Sequence, residues 1–197
     1  GPGSFGGLGA VGGKGTWLKT PSLSTLVHEL GHNLGLWHSN YWRSNTSPPS
    51  TVNRGQNVEY GNKFDVMGSA GNTMGHYVAP NKAEIGWLPA DSYHSVKANG
   101  TYRIYQVDQG QADSDKRYAL TTYRDSERNY WLEFRQGYPD NPNLFNGVML
   151  TWDAWGWVHS TPATDTPHGS ELGPQLVDTT PGSRSVSAST PYDSDTR

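Results

Sequence analysis

Between residues 20 and 38 the apolar positions recur with a helical period. With His28 as origin and about 100° per residue, Leu23, Leu26, Val27, Leu30 and Leu34 fall between roughly 160° and 260°, one continuous stripe. This predicts an amphipathic helix that buries the stripe. Thr20 is the expected N-cap, Pro21 the first helical position and Gly35 the stop. A shorter helical stretch is expected around Lys82 to Trp87. Downstream the period changes. Residues 102–107, 118–123, 129–135 and 147–152 alternate, are rich in Tyr, Trp and Thr, and are separated by Asp, Gly, Asn and Pro. They predict strands of a mainly antiparallel β unit. The change falls near residue 98, giving an α+β chain with units at 1–98 and 99–197. A Ser/Thr/Pro/Asp-rich tail from about Thr179 is expected to be loose.

Composition narrows the picture only a little. A chain of 197 residues can bury a real core. Net charge −3 and a pI near 6.1 supply no basic field, so nucleic acid is not an expected partner. No run of eighteen apolar residues suggests a membrane span. With no Cys, disulfides and thiolate ligands drop out.

The chemistry lies on the other side of the predicted helix. His28, Glu29 and His32 fall within about 100° of one another there. A helix continued to His38 would place that ring about 15 Å along the axis from His28. A left-handed Gly35 can instead end the helix and return His38 as a third ligand. Three imidazoles with an open fourth position are the donor set of a catalytic zinc. The ion would acidify a bound water, and Glu29 would accept its proton and pass it to a leaving amine. The bland reading is chance spacing of histidines on a half-buried helix; the added Gly and third His weigh against it.

The string HExxHxxGxxH over His28–His38, together with the segment Tyr60-Gly61-Asn62-Lys63-Phe64-Asp65-Val66-Met67-Gly68-Ser69, resembles the metzincin clan of zinc peptidases. That segment, Lys82-Ala83-Glu84-Ile85-Gly86-Trp87 and Tyr130-Trp131-Leu132-Glu133-Phe134-Arg135 are most similar to gametolysin-type secreted metallopeptidases. The resemblance implies a core of zinc helix, edge strand and methionine turn, with Met67 beneath the metal. It also implies a secreted endopeptidase acting on extracellular proteins or glycoproteins. Gly7 to Gly13 resembles the edge strand, which makes Gly9, Ala10 and Val11 candidates for pairing with substrate backbone. The stretch from Ser69 to Pro80 would wall the side-chain pocket, with His76 and Tyr77 as candidate contacts. Fewer than thirty residues precede His28, where clan members carry further strands and a helix, so the N-terminal part of the usual catalytic domain is expected to be missing. Some members place a Tyr two residues after the turn methionine; here that position is Ser69.

Other features have plainer accounts. Trp152, Trp155 and Trp157 could form a stacking platform, yet core packing is the simpler expectation. Glu133 and Arg135 share a strand face and suggest an ion pair. The acidic clusters Asp108 to Asp115 and Asp193 to Asp195 match no known calcium loop, so calcium has no support. The alternative to an enzyme is a protease-like module binding glycan or protein through the aromatic β unit. Nothing in the chain speaks to an oligomeric state.

Overall fold

The aromatic alternation beyond residue 98 does build a sheet, and that sheet reaches back across residue 98. The computed structural model of the protein describes residues 6–44, 55–70, 75–108, 110, 112–125, 128–138, 144, 147–154 and 173–179. Trp155, Trp157, the acidic cluster at 193–195 and the tail beyond Thr179 lie outside them. In chain order the elements are β1 (Gly7–Gly9), β2 (Thr16–Leu18), α1 (Leu23–Asn33), β3 (Asn40–Ser44), β4 (Gly55–Val58), α2 (Ala79–Glu84) and β5 (Tyr93–Val96). They continue with β6 (Ala119–Asp125), β7 (Arg128–Glu133), β8 (Met149–Ala154) and β9 (Gln175–Val177). Seven strands form one mixed sheet in the order β4-β3-β9-β8-β7-β6-β5, while β1 and β2 pair separately. The pairs β3–β9 and β5–β6 are parallel and the others antiparallel. Strands β3 and β4, next to the histidine motif, thus share a sheet with strands from the far end of the chain.

Three of the four expected downstream strands form. Residues 102–107 do not pair as a strand. Tyr105 N donates to Arg117 O and Val107 N to Phe134 O, isolated bonds rather than a ladder. Their side chains pack against the cluster of Ala79, Leu88, Tyr118, Ala119 and Trp131. Alternation there reports a half-buried chain. Trp152 is buried with Trp42 and Val177, and its indole N–H donates to the Gln175 side chain, so it is core. Helix α2 begins before the expected stretch, with Pro80 in its first turn.

Helix α1 departs from expectation in two ways. Its N-cap is Ser22, whose hydroxyl accepts from Thr25 N at 3.5 Å, so the helix starts beyond Thr20-Pro21. The leucine stripe, moreover, is not buried. Leu23, Leu30 and Leu34 are 72 %, 45 % and 50 % exposed. The buried positions are Glu29, Gly31 and His32, with Val27 partly covered by the cluster of Leu36, Val66, Met67 and Tyr77. Periodicity identifies the apolar face, but burying it needs a second surface, and none among the described residues covers that flank. No helix among them is long and apolar enough to cross a membrane.

Candidate metal centre

The end of α1 is a complete Schellman turn. Gly35 has φ +104°, Leu36 N donates to Gly31 O at 3.0 Å and Gly35 N to His32 O at 2.9 Å. The turn brings His38 back beside the helix. Ring centroids lie 4.8 Å apart for His28 and His32, 5.4 Å for His28 and His38, and 4.9 Å for His32 and His38. One ligand atom from each ring falls within 4.8 Å of the others, and no other group of three or more such side chains occurs among the described residues.

Each ring is oriented by a different segment. His28 Nδ1 lies 2.7 Å from Val66 O of the methionine turn, and His32 Nδ1 lies 2.8 Å from Leu36 O of the Schellman turn. His38 Nδ1 lies 2.7 Å from Glu59 Oε1, just beyond β4. Carbonyl and carboxylate oxygens only accept, so all three Nδ1 atoms carry protons and the Nε2 lone pairs are left to bind. Burial pushes the His28 and His38 rings below the usual imidazole pKa, which favours the neutral form a metal requires. Three neutral, oriented imidazoles fit one zinc ion with an open position.

Glu29 is buried between α1 and β1. A Cβ at Gly7 would come within 2.7 Å of its Oε1, and one at Gly9 within 3.1 Å of its Oε2, so only bare backbone can cross the carboxylate here. The hairpin of β1 and β2 is fastened to the helix through Asn33. Its Nδ2 donates to Ala10 O at 3.1 Å and Gly15 O at 3.0 Å, and its Oδ1 accepts from Thr16 Oγ1 at 2.6 Å. Gly9 is in β1, whereas Ala10 and Val11 belong to the turn after it. The other edge of β1 pairs with no described strand.

Residues 7–88 match the family model described as metallo-peptidase family M12B, reprolysin-like. No curated protein and no solved structure matches the chain. The reprolysin-like likeness takes in the hairpin, the histidine cluster and the methionine turn, and supports a metallopeptidase. Strands β5 to β9 lie beyond it.

Met67 is fully buried, and its sulfur rests where a Cβ on Gly31 would stand. The absence of a side chain between the two helical histidines is what lets this floor approach. Asp65 shapes the turn, accepting from Met67 N at 2.6 Å, Val78 N at 2.6 Å and Asn81 Nδ2 at 3.2 Å. Complete burial pushes its carboxyl up to about 6.

His76 and Tyr77 are not members of the histidine cluster, although Tyr77 packs with Met67 against α1. Tyr77 is buried and donates its hydroxyl to Val27 O at 2.8 Å, and burial pushes it up to about 12. His76 lines a separate cavity of about 220 Å³ with Lys82, Trp87 and Asp108. Burial and the nearby Lys82 and Arg135 charges hold His76 down at about 4, and burial lowers Lys82 to about 8. Ser69 is exposed.

Motif reading gave two residues of the site no role, although Tyr60 opens the segment that resembles the methionine turn. Glu59 orients His38, and Tyr60 stacks on it with centroids 3.8 Å apart. Their only sequence signal is their place just ahead of the turn, in Glu59-Tyr60-Gly61-Asn62. Tyr60 has φ +57°, a conformation that costs a bulky residue about 1–3 kcal/mol. Burial and the charges of Glu59 and Glu29 raise its pKa.

Proposed function

We propose that this chain is a zinc-dependent endopeptidase of the metzincin type. The observation that carries the reading is the trio His28, His32 and His38, each with Nδ1 engaged, beside the sheltered carboxylate of Glu29. These rings would hold the metal through Nε2. When bound, zinc makes water acidic near neutral pH and polarises a carbonyl. Glu29 accepts the proton of the attacking water at its carboxylate and returns it to the departing amine. The free edge of β1 takes the peptide backbone by strand pairing through Gly9, so affinity does not depend on side chains.

Extracellular proteins or glycoproteins are the substrate class, and the site of action is outside the cell. The support for this is the resemblance of the Tyr60–Ser69, Lys82–Trp87 and Tyr130–Arg135 strings to gametolysin-type secreted enzymes. The binding-module alternative gains nothing from Trp152, whose faces are buried.

The deciding experiment compares wild type with Glu29→Gln by metal analysis and by digestion of casein. About one zinc per chain in both, with chelator-sensitive cleavage lost in the variant, is expected. Equal cleavage by the two proteins, or a wild type that holds no zinc, would refute the assignment.

A further inference from the structure

Tyr60 is the one non-glycine residue with positive φ among those described. Its backbone is held there by Tyr60 N donating to Asn40 Oδ1 at 3.0 Å and by the turn closed from Gly61 N to Val58 O at 3.0 Å. The effect of that left-handed residue is to lay the phenol ring across the third imidazole. The rings are 3.8 Å apart at 35°, and the His28 ring is 5.8 Å from the phenol. His38 cannot swing away from this stack without breaking its bond to Glu59. Tyr60 is 41 % exposed, and its hydroxyl has no hydrogen-bond partner among the described residues. Of the two candidate pocket contacts nearest in sequence, Tyr77 donates its hydroxyl to Val27 O and His76 lines its own cavity.

We propose that Tyr60 is a catalytic residue of this site, its hydroxyl donating a hydrogen bond to the carbonyl oxygen of the scissile peptide bond as negative charge develops there. The inference rests on the peptidase reading above. A phenol keeps its proton at neutral pH and can donate. The stack on His38 holds the ring in place before substrate arrives, so little reorganisation is needed.

The test uses the full chain loaded with zinc and Tyr60→Phe, which keeps the ring and removes the oxygen. Zinc affinity, read by competition with a chromophoric chelator, should stay within about twofold of wild type, because the phenol is not needed to hold the metal. Affinity for acetohydroxamate, read by calorimetry, should fall about tenfold, since this probe presents a carbonyl oxygen to the same donor. On an unstructured protein substrate kcat should fall at least about tenfold with KM little changed. Unchanged hydroxamate affinity and kcat in Tyr60→Phe would overturn the proposal, and so would a parallel loss of zinc affinity, which would mark the hydroxyl as a support of the metal. A wild type that binds zinc and hydroxamate yet cleaves nothing would remove the peptidase reading alone, with the hydroxamate comparison still deciding the place of Tyr60.

Discussion

Arg135, just past the end of β7, donates through Nη1 to the carbonyl of Phe64, which leads into the methionine turn. The guanidinium is fully buried and pairs with Glu133, Nη2 to Oε1 at 2.9 Å and Nε to Oε1 at 3.0 Å. Glu133 Oε2 in turn accepts from Ala79 N at the start of α2. The floor of the histidine cluster is therefore tied to the sheet by buried charge. Arg135→Met strands the Glu133 carboxylate and should cost about 3–5 kcal/mol in urea unfolding. The exposed pair Lys116–Asp113 is a control whose loss should leave the urea midpoint unmoved. A wild-type midpoint for Arg135→Met would show that the tie carries no stability.

Acid should destabilise the fold through His76. Its native pKa of about 4 lies below the ordinary 6.5, so below 6.5 the unfolded chain takes up a proton that the native ring refuses. This stability is present above 6.5 and is lost as pH falls toward 4. Asp65 works in the opposite sense. Raised to about 6, it stabilises the native state at low pH, and that contribution disappears as pH rises through 6. Comparing wild type with His76→Asn at each pH cancels Asp65. The difference in unfolding free energy should vary between pH 6.5 and 4 with a slope of about one proton and be flat above 7. A difference that is flat throughout would remove His76 as the cause.

Glu59 is a positioning residue, acting through His38. Its side chain is 63 % exposed, so Glu59→Ala should leave thermal unfolding of the metal-free protein almost unchanged. Zinc affinity should weaken about 10- to 100-fold, because the third imidazole loses the acceptor that fixes its tautomer. Glu59→Gln, which retains an accepting oxygen, should fall between. Chelator competition on the three proteins measures the series, and equal affinities would show that Glu59 does not orient the ring.

Gly31→Ala sets propensity against packing. Alanine favours a helix by about 0.8–1.0 kcal/mol over glycine. Here its methyl would meet the Met67 sulfur and come 3.1 Å from the Tyr77 hydroxyl. Overpacking of this kind costs about 1–3 kcal/mol, so a lower melting temperature and weaker zinc binding are expected. Adding Met67→Ala should restore room, making the double variant lose less than the sum of the single ones. A stabilised Gly31→Ala would mean that the floor yields freely.

The ligand set was legible because all three histidines lie in one short segment, where helical spacing and one glycine fix their relation. Glu133 and Arg135 were legible for the same local reason, two steps apart in an extended run, although Arg135 falls just past the end of β7. Glu59 and Tyr60 were not, since they reach His38 through the pairing of β3 with β4, which no local period encodes. The exposed Leu23, Leu30 and Leu34 mark another limit: a period names a face but not what lies against it. Tyr102 to Val107 mark a third, because alternation fits an extended chain whether or not a neighbour completes a ladder. Nor could composition foretell that β3 would pair with β9, bringing residues 40 and 175 into register.

His28 and His32 belong to α1, whereas His38 lies two residues ahead of β3, whose first residue, Asn40, donates its backbone N–H to the carbonyl of Pro174, far along the chain. An ion held by all three would rivet the helix to the sheet. Stripping it should speed amide exchange at the last turn of α1 and the entry to β3, while the β6–β8 ladder keeps its protection. Metal content would then govern how tightly two halves of the molecule are joined, quite apart from any bond it helps to cut.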